Sequence, residues 1–430
     1  MNHLPGQMPM IITDPSTPVL ILASPHHGGL GITRSFGRLG IPVFNVDAAR
    51  ATPAFFSRYS RGKFIWDIDS TAPAKSVEFL MRIPKRAGRP YILIPTTDTA
   101  TVFVAENAEI LRQSYLFPEV SPALIHSLCD KREVYHVAQR LNISIPRTEY
   151  PRTKADLLHY FESCGRPVMI KGSGVLLRRQ NSKTKFVIRS AKQLLDLCAR
   201  MEEGAVKNVV VQEYISDGED WMFNGYFDEH SHCLAGFTGR KLRQCPAYTG
   251  VTSLGLTQKN ETIARIAKRL VQSLGFRGIV DIDFSYDARA GEFKLLDVNP
   301  RIGSTFRLFV SRDDLDVARA LYLHLTGRPV PPQAAAEGRK WIVEDLDLAA
   351  SLRYALDGKL TLRQWVKSLS GIREAAFCAA DDPAPVLLML WADLRELWRW
   401  AQARRCPAPP FDYEPSPAPA PEYSEENVWS

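Results

Sequence analysis

Apolar residues along the chain recur with two periods, and these set the expected elements. Short continuous runs, PVLILA at 18–23, PVFNVD at 42–47 and YILIP at 91–95, have the length and content of buried strands. After the first run, HHGGLG opens a helical pattern that extends to Leu39. The order strand, glycine turn, helix, strand predicts a parallel α/β unit. Helical spacing returns over 99–112 and 121–141, the second broken at Asp130. Ser121 before Pro122 reads as an N-cap with proline at the first helical position, and Asp130 with Glu133 as a capping box.

From 167 to 215 the pattern predicts a strand (PVMIKG), a polar glycine-containing loop, a strand (KFVIR), a helix over 190–202 and a strand (NVVVQEYI). WMFNGYFD and CLAGFTGRKLRQ alternate and are joined by EHSH, which predicts an antiparallel pair. A helix over 259–274 precedes a hairpin, FRGIVDIDFSYD and EFKLLDVNP around ARAG, and a helix over 313–326 follows it. Residues 341–406 read as a mostly helical appendix, in which Leu387, Leu390, Trp391, Leu394, Leu397 and Trp398 recur at helical spacing. The tail from Pro407 holds seven prolines and no basic residue, and is expected to be disordered.

Composition narrows the class. The chain has 430 residues, enough for two or three domains, and its 45% hydrophobic content is that of a folded protein. No run approaches the roughly 20 apolar residues that span a bilayer, no segment reads as a signal peptide, and a cytoplasmic location is expected. Peripheral membrane contact is not expected, because the polar side of the 386–400 helix mixes Arg and Glu. Seven scattered cysteines without CxxC spacing fit reduced thiols. The tail contributes five acids and no base, so residues 1–406 stand at +12 against +7 for the chain. No basic run is interleaved with aromatics, so a phosphate-bearing small substrate is expected rather than nucleic acid.

The chemistry concentrates in LLDVNPRIG (295–303). On an extended strand Asp297, Asn299 and Arg301 project to one face, and Asp281 and Asp283 share a face of the preceding strand. Cross-strand neighbours lie about 5 Å apart, close enough to hold hard cations. Arg301 can grip a phosphoryl oxygen. The alternative is an edge hairpin charged to block sheet extension. Lys171 ends an apolar strand, and Lys131 follows a helix cap; each is ordinary alone.

In this order DK (130–131), PVMIK (167–171), VQEYI (211–215), VDIDF (280–284) and DVNPR (297–301) resemble the ATP-grasp superfamily of carboxylate-amine and carboxylate-thiol ligases, including carbamoyl-phosphate synthetase and D-aspartate ligase-like proteins. The resemblance covers roughly 18–330 and implies an α/β (α+β ATP-grasp) fold. Its implied domains are a preATP-grasp domain at 1–120, an ATP-grasp domain at 121–330 with a lid at about 145–215 and a metal-binding lobe at about 216–330, a helical appendix at 331–406, and the tail at 407–430.

The resemblance implies ATP and magnesium as cofactors, with manganese an alternative. Lys131 and Lys171 resemble phosphate ligands; Gln212, Glu213, Tyr214 and Ile215 the adenine-binding segment; Asp220, or else Glu219, the ribose acid. Asp283, Asp297 and Asn299 match metal ligands, and Arg301 the catalytic phosphate-stabilising arginine. The family usually has Glu where this chain has Asp283 and Asp297. Gly29, Gly31 and Asp47 imitate a dinucleotide fingerprint, but Arg34 stands where its third glycine belongs. In the superfamily such a glycine turn binds substrate at a helix N-terminus, so Gly29 and Gly31 are expected to be substrate-binding. Lys241 and Arg243 on one strand face, with Arg240 opposite, read as substrate-facing cations, Lys241 in a catalytic role; a merely solubilising basic strand is the alternative.

The implied activity is ATP-dependent ligation of a small carboxylate to an amine through an acyl phosphate. The alternatives are an ATP-grasp carboxylase or a non-catalytic nucleotide-binding regulator. A homodimer is compatible with the sequence.

Overall fold

The computed structural model describes residues 12–85, 88–172, 185–201, 205–216 and 218–405. The proline-rich tail and the polar loop expected after Lys171 lie outside them. Two compact units are formed: Met1–Cys129 with Asn224–Asp281 and Asn299–Ser430, and Asp130–Phe223 with Ile282–Val298.

In the first unit a five-stranded sheet contains β1 (Val19–Leu22), β2 (Val43–Asp47), β3 (Ser60–Ile65), β4 (Tyr91–Pro95) and β5 (Tyr115–Leu116), in the order β3-β2-β1-β4-β5. All its pairings are parallel. The four residues of β1 are fully buried, as its unbroken apolar run requires of a strand covered on both faces. Helices α1 (His26–Gly37), α2 (Pro73–Lys85), α3 (Asp98–Glu106), α4 (Ala108–Leu111) and α5 (Pro122–Cys129) accompany it. The strand order reverses at the β1/β4 junction, so α1 and α3 both begin at the carboxyl edge where such sheets take ligands.

The HHGGLG segment corrects an expectation. It forms the first turns of α1 rather than a turn before it, and the left-handed backbone falls on Ala23 (φ 56°) and His26 (φ 59°). A Cβ on Gly29 would lie 2.5 Å from the Ser24 Cβ, and one on Gly31 3.1 Å from the Arg307 Cγ. Both are buried helix positions whose missing side chains admit neighbours, so close packing already accounts for glycine there. Arg34 is buried too, donating to Asp382 Oδ2 and to the carbonyls of Ala376, Phe377 and Asp382. It anchors the C-terminal segment and stands apart from any dinucleotide.

The second unit contains α6 (Lys131–Arg140), α7 (Lys154–Cys164), α8 (Ala191–Arg200) and an antiparallel sheet of β6 (Thr148–Glu149), β7 (Val168–Gly172), β8 (Lys185–Ile188) and β9 (Val209–Glu213), ordered β6-β9-β7-β8. Val168, Ile170, Val209 and Val211 bury one face against Leu157 and Leu194 of the helices. The alternation that buries Ile170 turns Lys171 to the other side.

A seven-stranded sheet is built from β10 (Glu219–Phe227), β11 (Cys233–Cys245), β12 (Val251–Thr257), β13 (Gly278–Asp287), β14 (Glu292–Asn299), β15 (Lys340–Ile342) and β16 (Ile372–Ala375), ordered β14-β13-β10-β11-β12-β15-β16. The remaining helices are α9 (Glu261–Leu274), α10 (Val317–Leu325), α11 (Glu344–Leu356), α12 (Leu362–Leu369) and α13 (Ala384–Arg405). The segment read as a helical appendix thus supplies two strands as well. β15 pairs antiparallel with β12, Leu254 opposite Ile342. Among the described residues no helix is long and apolar enough to cross a membrane.

Candidate functional site

In the second unit two lysines and one carboxylate are brought together. Asp130 caps α6, its Oδ1 accepting from the Arg132 N–H at 2.8 Å, and this sets Lys131 at the first helical position. The Lys131 Nζ donates to Asp297 Oδ2 on β14 at 2.8 Å. One turn along, the Tyr135 hydroxyl donates to the Leu296 carbonyl at 3.0 Å and accepts from Gln212 Nε2 at 2.8 Å. Gln212 Oε1 in turn accepts from Lys171 Nζ at 2.7 Å. Gln212 was expected near adenine; here it spaces Lys171 from Tyr135.

The electrostatics follow from this crowding. Burial, then repulsion by Lys131 and Lys185, depresses Lys171 to about 7, although Asp297 and Asp283 pull the other way. Burial disfavours the charge of Asp297, but Lys131, Lys171 and Lys185 hold its carboxyl below the usual range. Two ammonium groups sharing one carboxylate form a site that an added polyanion would stabilise.

Asp283 and Asp297 lie on neighbouring strands, β13 and β14, both half-buried. Asn299 follows Asp297 by two residues on β14. Among the described residues no group of three or more His, Cys, Asp or Glu is placed to hold a metal. Two carboxylates and an amide are nonetheless hard oxygen donors, and suit a magnesium ion that completes its shell with phosphate oxygens.

In the first unit Arg301 Nε donates to Asp98 Oδ1 at 2.5 Å, and its Nη2 lies 3.3 Å from Asn299 Oδ1. Asp98 opens α3 behind the N-cap Thr97, so a helix start fixes the arginine's partner. Sequence reading missed Asp98; the only signal was a TTD cluster at the end of a buried strand. Asn299 Nδ2 reaches the Asp281 carbonyl at 3.3 Å. His27, one residue into α1, is packed against the rings of Trp341 and Phe377; its Nε2 is buried without a partner, and burial lowers it to about 4.

The expected adenine segment is partly committed to the fold. The Glu213 N–H donates to the Arg147 carbonyl at 2.9 Å and the Tyr214 N–H to the Pro167 carbonyl at 2.8 Å. The Glu213 carboxylate is buried on Lys294, at 2.5 Å. Tyr214 is buried beneath the Arg189 guanidinium, Ile215 and Asp220 are half-buried, and Glu219 is exposed.

Arg243 is a correction. A bulge at Leu242 places Lys241 opposite Gly255 and Arg243 opposite the very next residue, Leu254, so the alternation that would have put the two cations on one face is broken. Arg243 is 5% exposed and grips Asp347 with Nε and Nη2, each at 2.8 Å. It is a buried structural arginine and not a substrate-facing cation. Lys241 and Arg240 remain half-buried.

Known proteins agree with this architecture. The family described as ATP-grasp domain matches residues 129–305. The D-aspartate ligase of Enterococcus faecium is 23% identical over 259 residues, 56% of this chain and 61% of that protein. The carbamoyl phosphate synthase large chain of Methanobrevibacter smithii is 18% identical over 40% of this chain and 17% of its own. The chain thus spans less than two thirds of either relative. Among solved structures, the N5-carboxyaminoimidazole synthetase of Staphylococcus aureus superposes with a TM-score of 0.55 at 12% identity, over 75% of this chain and 81% of that one. The L-amino acid ligase of Bacillus licheniformis gives 0.51 at 15%, over 72% and 74%. Residues 129–305 thus match the ATP-grasp domain family in sequence, and the fold resembles those solved structures.

Proposed function

We propose that the protein is an ATP-dependent ligase that joins a small carboxylate to an amine. The carboxylate oxygen attacks the γ-phosphorus of ATP and the bond to the bridging oxygen breaks, releasing ADP and leaving an acyl phosphate. The amine nitrogen then attacks the acyl carbon, phosphate departs, and the nitrogen loses a proton to form the amide. The observation that carries this reading is Lys131 and Lys171 gathered around Asp297, an arrangement poised for a polyphosphate. Similarity to proteins named as ligases supports the reaction class.

Lys131 and Lys171 bind the phosphates. Asp283, Asp297 and Asn299 hold magnesium, which shields phosphate charge. Arg301 and Lys241 stabilise the transferring group, and Arg240 lies beside Lys241 for substrate. With the Glu213 and Tyr214 N–H groups spent internally, adenine pairs with the Glu213 carbonyl and the Ile215 backbone, and Asp220 takes the ribose. No protein nucleophile is needed, because positioning and charge stabilisation suffice. ATP as substrate and six cysteines outside any disulfide among the described residues fit the cytoplasm.

The test is a screen of carboxylates and amines with MgATP, read as ADP release. The reading holds if one pair drives release and the Asp297→Ala chain, still folded by circular dichroism, does not. It fails if no pair raises release above the ATP-only rate.

A further inference from the structure

A cavity of about 70 Å³ lies within the first unit, at the carboxyl end of β4. Its lining includes Ile94, Val104, Ala105, Phe117, Ile125 and Phe276, and Arg301 is part of its wall. Four of these, Ile94, Val104, Ile125 and Phe276, are no more than 5% exposed, so the lining is a preformed apolar surface. Arg301 presents it with a guanidinium whose Nε is fixed by Asp98. An apolar chamber whose wall also carries Arg277 and Arg301 is matched to an amphiphile with a carboxylate at one end.

We propose that this cavity receives the side chain of the acid being activated, and that the acid is a short branched-aliphatic carboxylate. The inference rests on the ligase reading for the carboxylate's fate, since it adds a site for the tail of the acid whose carboxylate meets the transferring group beside Arg301. Size decides the class. A cavity of about 150 Å³ takes benzene, so one of half that volume takes a branched group of three or four carbons and excludes fused rings. Gly278 contributes to this fit: its φ of 106° lets the chain turn tightly against Pro118, and both residues line the cavity. Each buried methylene favours the bound acid by about fourfold.

The experiment uses the full chain with MgATP and hydroxylamine as a generic amine, which converts an acyl phosphate to a hydroxamate with loss of phosphate. Acetate, isovalerate, 4-methylvalerate and 2-naphthylacetate are compared by kcat/KM. At least a tenfold rise from acetate to isovalerate, with collapse at naphthylacetate, is expected. Ala108→Phe, at a half-buried lining position, should abolish the rise from acetate to isovalerate. A flat series with measurable hydroxamate overturns the cavity assignment and leaves the ligase reading standing. If no acid yields hydroxamate, calorimetric titration of isovalerate and acetate into both chains decides. A preference for isovalerate that Ala108→Phe removes sustains the cavity although the ligase reading has failed, and equal heats for the two acids overturn it.

Discussion

Lys131 and Asp297, 166 residues apart, meet through a 2.8 Å hydrogen bond between the first residue of a helix and the third-from-last residue of a strand. Both side chains are about a third exposed, so the pair is worth less than about 1 kcal/mol to folding. Its geometry is therefore better explained by a task than by stability. Asp297→Ala and Lys131→Ala should each leave the thermal midpoint within about 4 °C of the parent. Each should weaken MgATP binding at least tenfold by calorimetry. A large drop in midpoint with unchanged nucleotide affinity would reverse the assignment.

Lys171 gives a prediction in pH. Its ammonium is depressed to about 7, mainly by burial and next by Lys131, so it is mostly neutral above pH 8 in the free protein. Polyphosphate favours the charged form and raises that value on binding. Binding above pH 7 must then take up a proton, and the Kd for ATP should rise between pH 7 and 9, by up to about tenfold per unit. Titration in buffers of differing ionisation heat should register the uptake, and Lys171→Arg should flatten the profile. A Kd independent of pH across this window would show that Lys171 does not meet the phosphates.

The hairpin acids and the two lysines were legible because their signals are local: period-two alternation in LLDVN, an Asp cap before Lys131, an apolar run ending at Lys171. What was not legible depended on partners remote in sequence. The glycines of HHGGLG favour a turn by propensity, and only close packing on Ser24, Phe306 and Arg307 makes them helical. The face of Arg243 was lost to a bulge whose register is set against β12, a strand with little alternation of its own. β15 is three residues long, too short to show any period. Asp98 and Arg301 are 203 residues apart, and nothing local marks them as partners.

That last pair predicts a positioning residue. Asp98 aligns the guanidinium of Arg301 through its Nε at 2.5 Å, while Nη1 and Nη2 make longer bonds, at 3.4 and 3.3 Å, to the Ile302 carbonyl and Asn299 Oδ1. Asp98→Ala should lower kcat by at least tenfold with a smaller change in the KM for ATP, and Asp98→Glu should recover part of the loss. Equal losses in Ala and Glu variants, tracking a fall in thermal midpoint, would assign Asp98 to folding alone.

Arg243 and Asp347 supply the converse case, a pair whose geometry belongs to stability. Arg243 is bidentate on Asp347, both are at most 5% exposed, and Asp347 also accepts from Ser253 Oγ and Trp365 Nε1. Removing one partner strands a buried charge, at a cost of about 3–5 kcal/mol, whereas removing both with apolar residues of similar volume relieves it. Arg243→Met and Asp347→Leu should each lower the denaturation midpoint markedly, and the double variant should be more stable than either single one. In the double variant KM for the carboxylate and the amine should equal the parent values, because no substrate contact has been removed. A selective rise in either KM, with stability restored, would return Arg243 to the substrate-binding role that the bulge at Leu242 denies it.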